Sequence, residues 1–574
     1  MSAICQRTRE TWIRRAGIAL LLLVAANLLS WRFVDPDLWG HIQYGEDWIA
    51  EGALPRVASH TFSAEGHPWI NHENLSELTL AMSHRLVGGR GIMVMKLLAG
   101  LGMLLTMMWL AVRKGIPVWA AAVCIVFVAS GLGEFWLARP QMASFLGMAA
   151  LLTVFDFAFP TAENGERPRP QLLWLCVPLM ILWTNSHGGF AAGLCVLLTT
   201  IAIRTVQVSR SGADNKSQLV RTMMIIGVCC VAATVINPYG TGLHSWMLAS
   251  LGKPRPEISE WASVLNGGVA AIPFTVLTAL TVMAFAATTR KRDPAHMIIL
   301  SLVAIQAAMH IRHIAFLAIL FGFWMPAHCW SAWQRFLACR QQRTGRDLAD
   351  DPPLTRGAFA ILSLEAAVVG LLLTGLLGWR FSNFGVDRSK YPVSAINYMA
   401  QNDLQGRLVV TFNWAQYAIA ALNPQTTVSF DGRFRTCYPQ EVIDMNFDLT
   451  NGVRGRFRSR GATPPDPARV LEWESPQLVL LDRHLDPAGI ELMSQRSDWT
   501  LLYRDEIAAL WGRTSEFTST DSPRFLPPSK RMISDAEQAG IASWPAIPGR
   551  EGRLAFVPNH RTTQTARREL NARH

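Results

Sequence analysis

Long apolar runs separated by short basic loops constrain this chain more than any other feature. After a polar start carrying Arg7, Arg9, Arg14 and Arg15, residues 17–30 are apolar. Further runs recur near 92–112, 117–133, 141–159, 171–184, 187–206, 222–236, 269–288, 295–310, 313–330 and 357–379. A helix needs about 20 apolar residues to cross a bilayer core, and the shorter runs suit tilted or partly re-entrant segments. The pattern predicts an α-helical polytopic membrane protein with about 11 transmembrane helices. Composition agrees: half of the residues are hydrophobic, 17% are charged, and 21 Trp stand against 7 Tyr, as expected of a chain with many lipid interfaces. The first run passes into Trp31 without a convincing small-x-small cleavage site, so it reads as an uncleaved membrane helix and not as a signal peptide.

The net charge of +11 is a topology signal, because the basic residues lie in every second loop. They are Arg113/Lys114, Arg167/Arg169, Arg204 to Arg221, Arg290/Lys291/Arg292 and Arg335 to Arg356. With the N-terminus in the cytoplasm all five loops are cytoplasmic, as the positive-inside rule asks. The reading is a multi-pass protein of the plasma (inner) membrane with no nucleic-acid partner. The 9 cysteines show no CxxC spacing and mostly lie inside apolar runs, where they act as small apolar side chains.

The alternate loops differ in kind. They carry Asp35, Asp37 and His41; Asn71, His72 and Glu73; Glu134 and Arg139; Asn185 and His187; Asn237; Glu260 with Trp261; and His310, Arg312 and His313. Ionisable groups gathered at one membrane face mark a site unless they are merely loop polarity. The first such loop spans 32–91 and contains a segment with Leu38, Trp39, Ile42, Gly45 and Ile49 on one face. Gln43, Glu46 and Asp47 lie opposite, a pattern that predicts a helix lying along the interface. A second amphipathic segment covers 73–86.

The chain then divides as follows: a cytoplasmic N-terminus over 1–15, the transmembrane domain over 16–380, and an extracytoplasmic α/β domain over 381–513. In the last of these, 407–412, 427–430 and 477–481 read as strands, and 500–503 with 508–511 as a hairpin-like edge. Residues 514–574 are rich in Pro, Ser, Thr and Arg, a composition that predicts disorder.

Asp35-Pro36-Asp37 is the sharpest chemical feature. A carboxylate just outside the membrane can act as a general base, and two of them one residue apart can hold a divalent metal such as Mg or Mn. The triplet reads equally well as a helix start, with Asp35 as cap and Pro36 at the first position. His41 lies one turn after Asp37 and shares its face. His72-Glu73 lacks the second histidine of a zinc-protease motif, since Ser76 stands in its place. Arg139 and Arg312 lie on the outside against the charge rule. They could pair with a phosphate, with His313 completing the anion site, or simply with a carboxylate such as Glu134. Asp431-Gly432-Arg433 reads as a turn after a strand.

An Asp-bearing loop directly after the first helix, running into an amphipathic helix, resembles the GT-C superfamily of membrane glycosyltransferases, which includes the protein O-mannosyltransferases and lipopolysaccharide-modifying transferases. The stretches DPDLWGHIQYGEDWIAEGALPR and HPWINHENLSEL carry the likeness, with ARPQ, NSHGGF, NPYG, SEWAS, IRHIAF and FDGRFRTCY as later landmarks. The resemblance implies a GT-C-like body and a transferase moving a sugar from a polyprenyl-phosphate-linked donor to a lipid or glycan acceptor at the extracytoplasmic face. An acidic residue of the first loop, Asp35 or Asp37, would be base or metal ligand. His41 joins them as a catalytic candidate, and His72, Glu73, Arg139, His187, Asn237, Glu260, Arg312 and His313 are candidate substrate contacts. A clear second acidic pair in a later outer loop is absent unless Glu260 serves. The rival reading is a non-enzymatic lipid or polysaccharide transporter or an envelope-assembly scaffold. The scarcity of ionisable groups inside the helices, Glu365 apart, weighs against a transporter.

Overall fold

The computed structural model describes residues 2–32, 34–160, 168–211, 215–255, 257–344, 354–382, 385–452, 463–550, 552 and 555–558. Arg167 and the last sixteen residues of the expected tail lie outside the described residues.

Among the described residues, seven helices are long and apolar enough to cross a membrane. They lie in α1 (Ser2–Leu29), α3 (Asn74–Arg113), α5 (Gln141–Ala158), α7 (Phe190–Ser209), α8 (Lys216–Ala233), α12 (Ile314–Thr344) and α13 (Arg356–Ser382). Shorter apolar helices fall on the remaining predicted runs: α4 (Val118–Leu132), α6 (Cys176–Thr184, preceded by a 3-10 turn from Pro170), α10 (Ala271–Ala287) and α11 (Pro294–Met309). The chain is a multi-pass membrane protein. Its membrane core is one continuous apolar cluster reaching from Ala25 to Met325.

The first loop departs from expectation in an instructive way. Helix α2 (Leu38–Glu51) forms where the periodicity places it, but it does not lie on a lipid surface. Every residue from Leu38 to Asp47 is buried, because α2 is held between α3 and the C-terminal domain. Trp39 sits among Tyr391, Tyr417 and Trp544, with ring centroids 4.8–4.9 Å away. The face expected to meet water is paired instead. Asp47 takes His60 at 2.6 Å, Glu46 takes Arg85, and Gln43 donates to Asp47 at 2.9 Å. The second amphipathic segment is the first part of α3. It continues into a membrane helix through Gly88, whose φ of 70° breaks the helical path at a residue without a Cβ.

The C-terminal α/β domain is built on a six-stranded sheet ordered β3-β2-β4-β6-β5-β7. The strands are β2 (Gly406–Val410), β3 (Thr426–Val428), β4 (Leu478–Asp482), β5 (Trp499–Arg504), β6 (Ala508–Arg513) and β7 (Met532–Ile533). A separate pair joins β1 (Gly385–Asp387) antiparallel to β8 (Ile541–Ser543). Strands β3, β2 and β4 run parallel, with Leu408 level with Val428 and with Leu478. Both faces of the central strands are covered, which explains their uninterrupted apolar sequence. Leu408, Val410, Leu478 and Leu480 join the cluster containing α2. Val409, Val479 and Leu481 join one that includes Tyr44, Phe62 and Trp69 of the first loop. The domain is thus cored partly by the first loop.

Disorder from residue 514 onward is corrected by the structure. Residues 514–550 are described throughout, with β7 beside β5 and β8 beside β1. Trp544, Ile547, Ala555 and Phe556 are buried. The stretch is poor in apolar residues overall, but those few fill a surface that the rest of the domain already presents. Its backbone is bound by side chains from elsewhere: Trp39 donates to the Pro545 carbonyl at 2.9 Å and Gln43 to the Val557 carbonyl at 2.8 Å.

Candidate active site

The helix ends expected to gather at one face do so. Segments before α3, between α6 and α7, around α9 (Gly242–Leu251) and before α12 meet loop 432–436 of the C-terminal domain around a cavity of about 340 Å³. Of the predicted site residues, His41, His72, Glu73, His187, Arg312 and His313 line it. Asp35, Asp37, Arg139, Asn237 and Glu260 do not.

Asp35 and Asp37 have different roles. Asp35 is buried and accepts the Asp37 backbone N–H at 2.9 Å, which shapes the turn into α2. It is also paired to Arg139 Nε. Asp37 is the more open carboxylate and lies against the cavity wall, where a Cβ placed on Gly432 would fall 2.1 Å from its Oδ1. Burial, reinforced by Asp35 and opposed by Arg139, pushes Asp37 up to about 6.

Arg139 is not free to grip a ligand. Its guanidinium meets Asp35, Asp37 at 3.0 Å and Glu260 at 2.9 Å, so Glu260 is a structural partner too. Asn237 is likewise consumed, donating to the Thr234 and Gly240 carbonyls and accepting the Tyr239 N–H within its own turn.

The cavity has an acidic–histidine side and an arginine side. On the first, His41 Nδ1 stands 3.4 Å from Glu77 Oε1, and Asn71 donates to Glu77 Oε2 at 2.6 Å. Burial works against a charged His41, but the Glu77 hydrogen bond and the carboxylates of Glu73, Glu77 and Asp37 outweigh it and raise it to about 9. Glu73 faces His187 Nε2 at 3.6 Å and His72 Nε2 at 3.9 Å. Burial would lift its carboxyl, but His72, His41, His187 and Arg139 hold it below the usual range. Burial drives His187 the other way, to about 3, which keeps it neutral.

One donor atom each from His41, Glu73 and Glu77 lie within 4.8 Å of one another. Two carboxylates and an imidazole suit a divalent cation, in competition with the proton that His41 shares with Glu77. Asp35 and Asp37, the expected ligands, are instead bridged by Arg139.

On the other side, Arg312 and Arg255 both lie over Trp261, at 5.0 and 4.3 Å from the ring centre. Burial and the neighbouring Arg435 and Arg312 charges lower Arg255 to about 10. Two guanidiniums gathered over one ring at the cavity wall form a place suited to an anion. Sequence reasoning missed Arg255, although it carries the signal used for Arg139 and Arg312, a basic residue in a loop of the wrong charge class. It also read Asp431-Gly432-Arg433 as a plain turn. Arg433 is in fact buried, holds Asp431 through Nη2 at 2.7 Å, and lies 4.8 Å from the rings of both Tyr44 and Trp69. It fastens the C-terminal domain to the first loop.

No family model matches the chain, and no curated protein matches it. Among solved structures, ArnT from Cupriavidus metallidurans bound to undecaprenyl phosphate aligns over 90% of this chain and 99% of that one, at 12% identity and a TM-score of 0.50. The chain has the GT-C fold. Two further structures align less closely. An Archaeoglobus fulgidus oligosaccharyltransferase tethered with an acceptor peptide aligns over 89% of this chain and 75% of that one, at 11% identity and a TM-score of 0.48. The arabinofuranosyltransferase AftD from mycobacteria aligns over 88% and 40%, at 15% identity and 0.45. In this GT-C fold the cavity sits where the helix bundle, the first loop and the C-terminal domain meet.

Proposed function

We propose that the protein is a membrane glycosyltransferase that moves a sugar from a polyprenyl-phosphate-linked donor to a hydroxyl acceptor at the extracytoplasmic face. The observation that carries this reading is the two-sided cavity, with His41, Glu73 and Glu77 on one side, Asp37 against its wall at Gly432, and Arg312 and Arg255 over Trp261 on the other. The GT-C fold and the undecaprenyl phosphate held by the ArnT structure agree with it. The positive-inside rule, applied to the basic loops, supports a cytoplasmic N-terminus and a cavity on the other face.

The reaction is an inverting displacement. The acceptor oxygen attacks the anomeric carbon as its proton passes to Asp37, and the bond from that carbon to the phosphate oxygen breaks. The lipid phosphate departs with the bonding electrons. Asp37 is mostly ionised at neutral pH yet still basic, the compromise a general base requires. Arg312 and Arg255, braced on Trp261, meet the charge that grows on the leaving phosphate. Arg255 thus takes the part expected of Arg139, which instead bears on the charge state of Asp37. A divalent cation would be held by His41, Glu73 and Glu77 and would supply positive charge beside the donor phosphate. The C-terminal domain, which contributes residues 432–436 to the cavity wall, takes part in choosing the acceptor.

The test is transfer of labelled sugar from a panel of polyprenyl-phosphate sugars in membranes carrying wild type, Asp37→Asn or Asp35→Asn. Loss of transfer in Asp37→Asn with the protein still inserted supports the assignment. Full transfer in both variants refutes it.

A further inference from the structure

His187 is held by more than its own loop. Its Nδ1 accepts the Gly189 backbone N–H at 3.1 Å, and Ser144 Oγ lies 2.7 Å from the same nitrogen. Ser144 sits in the first turn of α5 and is fully buried. It accepts the indole N–H of Trp183 at 2.8 Å. An indole nitrogen and a backbone amide can only donate. The Trp183 bond leaves the serine proton to go to Nδ1, and the Gly189 amide requires Nδ1 to be an acceptor. An imidazole with an accepting Nδ1 is neutral and carries its proton on Nε2, the nitrogen that faces Glu73 Oε1.

We propose that Ser144 and the Gly189 amide are positioning groups that fix His187 as its Nε2–H tautomer, so that the ring turns an N–H, and not a lone pair, toward Glu73, 3.6 Å away. The direction of donation runs Trp183 to Ser144 to His187, across α6, α5 and the turn before α7, and ends with the Nε2–H facing Glu73. A neutral N–H presents the positive end of its dipole to the carboxylate without adding a further full charge beside Arg312. It also leaves no lone pair on Nε2, so His187 stands apart from the cation-holding group of His41, Glu73 and Glu77. Without the Ser144 hydroxyl, the Gly189 amide alone holds Nδ1 as an acceptor, so the preference for the Nε2–H tautomer weakens and part of the population takes its proton on Nδ1. Nε2 would then present a lone pair to a carboxylate oxygen, and the contact would become repulsive.

The tautomer stands independently of the transferase reading; only its catalytic consequence rests on that reading. Two arms of one experiment separate them. The full chain, labelled with 15N-histidine and placed in lipid nanodiscs, gives imidazole nitrogen signals that distinguish the two tautomers and the imidazolium. The His187 pair is assigned by its loss in His187→Gln. The expected wild-type result is an unprotonated Nδ1 and a protonated Nε2, with Ser144→Ala shifting the pair toward the other tautomer. A protonated Nδ1 in wild type overturns the proposal, and this result needs no variant to fold. In the transfer arm, Ser144→Ala lowers kcat about tenfold, the usual scale for a residue that orients another, while KM for the donor stays within about twofold. An unchanged kcat overturns the positioning role. Absence of transfer in wild type counts against the proposed function and leaves the tautomer result standing.

Discussion

Replacing Arg433 with Met tests whether the first loop and the C-terminal domain are held together by a buried charge pair. Asp431 is fully buried. It receives Arg433 Nε at 2.9 Å and Nη2 at 2.7 Å, the Arg433 backbone N–H at 3.0 Å, and the Tyr438 hydroxyl. Burial opposes its charged form, but the Arg433 charge and these hydrogen bonds hold its carboxyl below the usual range. Removing the guanidinium leaves burial to push that carboxyl up, so the variant either holds an unpaired buried charge or takes up a proton. Leaving a buried charge without its partner costs about 3–5 kcal/mol. For a domain of this size that lowers Tm by roughly 6–20 °C. The matched variant Asp431→Asn/Arg433→Met removes both charges, so it is expected to recover about 2 kcal/mol of the loss. The assay is thermal and urea unfolding of the detergent-solubilised chain, followed by protease accessibility of the C-terminal domain. The pH dependence has a definite sign. Because the folded carboxyl lies below its ordinary value of 3.8, the pair's contribution is fully present above that value and is lost as pH falls through the lower folded value. A single variant that costs under about 1 kcal/mol, or a double variant no more stable than the single, refutes the argument.

Four further outcomes are expected. Transfer by the wild type rises with pH through about 6, the value to which Asp37 is pushed, and Arg139→Gln moves that limb upward because the guanidinium favours the ionised carboxylate. Arg312→Gln and Arg255→Gln each weaken use of the donor by about 1.5–3 kcal/mol, the worth of a hydrogen bond to a charged group, read as a fall in kcat/KM. Removing residues 541–574 strips Trp544 and the Pro545 carbonyl from Trp39, so the unfolding midpoint drops and α2 becomes accessible to hydrogen exchange. Divalent cations bind more tightly as pH rises through about 9, because His41 must give up its proton to ligate; binding independent of pH would remove the imidazole from the site.

The membrane helices were legible because lipid imposes one rule on every residue of a span. The long helices and the shorter apolar ones fall on the runs read from the sequence. The strands 407–412, 427–430 and 477–481 were legible as short apolar runs bounded by turn residues. What escaped was any feature set by a partner distant in sequence. Helix α2 has the periodicity of an interfacial helix, but a stripe of Leu38, Trp39 and Ile42 does not say whether lipid or protein covers it. Tyr391, Tyr417 and Trp544, several hundred residues away, decided for protein. Composition predicted a loose tail for the same reason: it counts apolar residues without asking where each one lands. Arg139 and Arg312 carried identical signals in sequence, and only the three carboxylates around Arg139 separate the structural cation from the open one.

The division of labour between Asp35 and Asp37 follows from this packing. Two carboxylates that close would repel each other, and one guanidinium between them removes most of that cost. Arg139 meets Asp35 through Nε and Asp37 through Nη2, so a single side chain serves both. Asp35 is also tied to the turn through the Asp37 amide and has nowhere to move. Asp37 keeps its Oδ1 toward Gly432 of the C-terminal domain. Asp37 is therefore flanked by both halves of the molecule, by an arginine of the helix bundle and a glycine of the α/β domain. Movement of that domain on its Arg433 anchor would change the surroundings of Asp37 directly, which in the proposed reaction would couple acceptor choice to the general base.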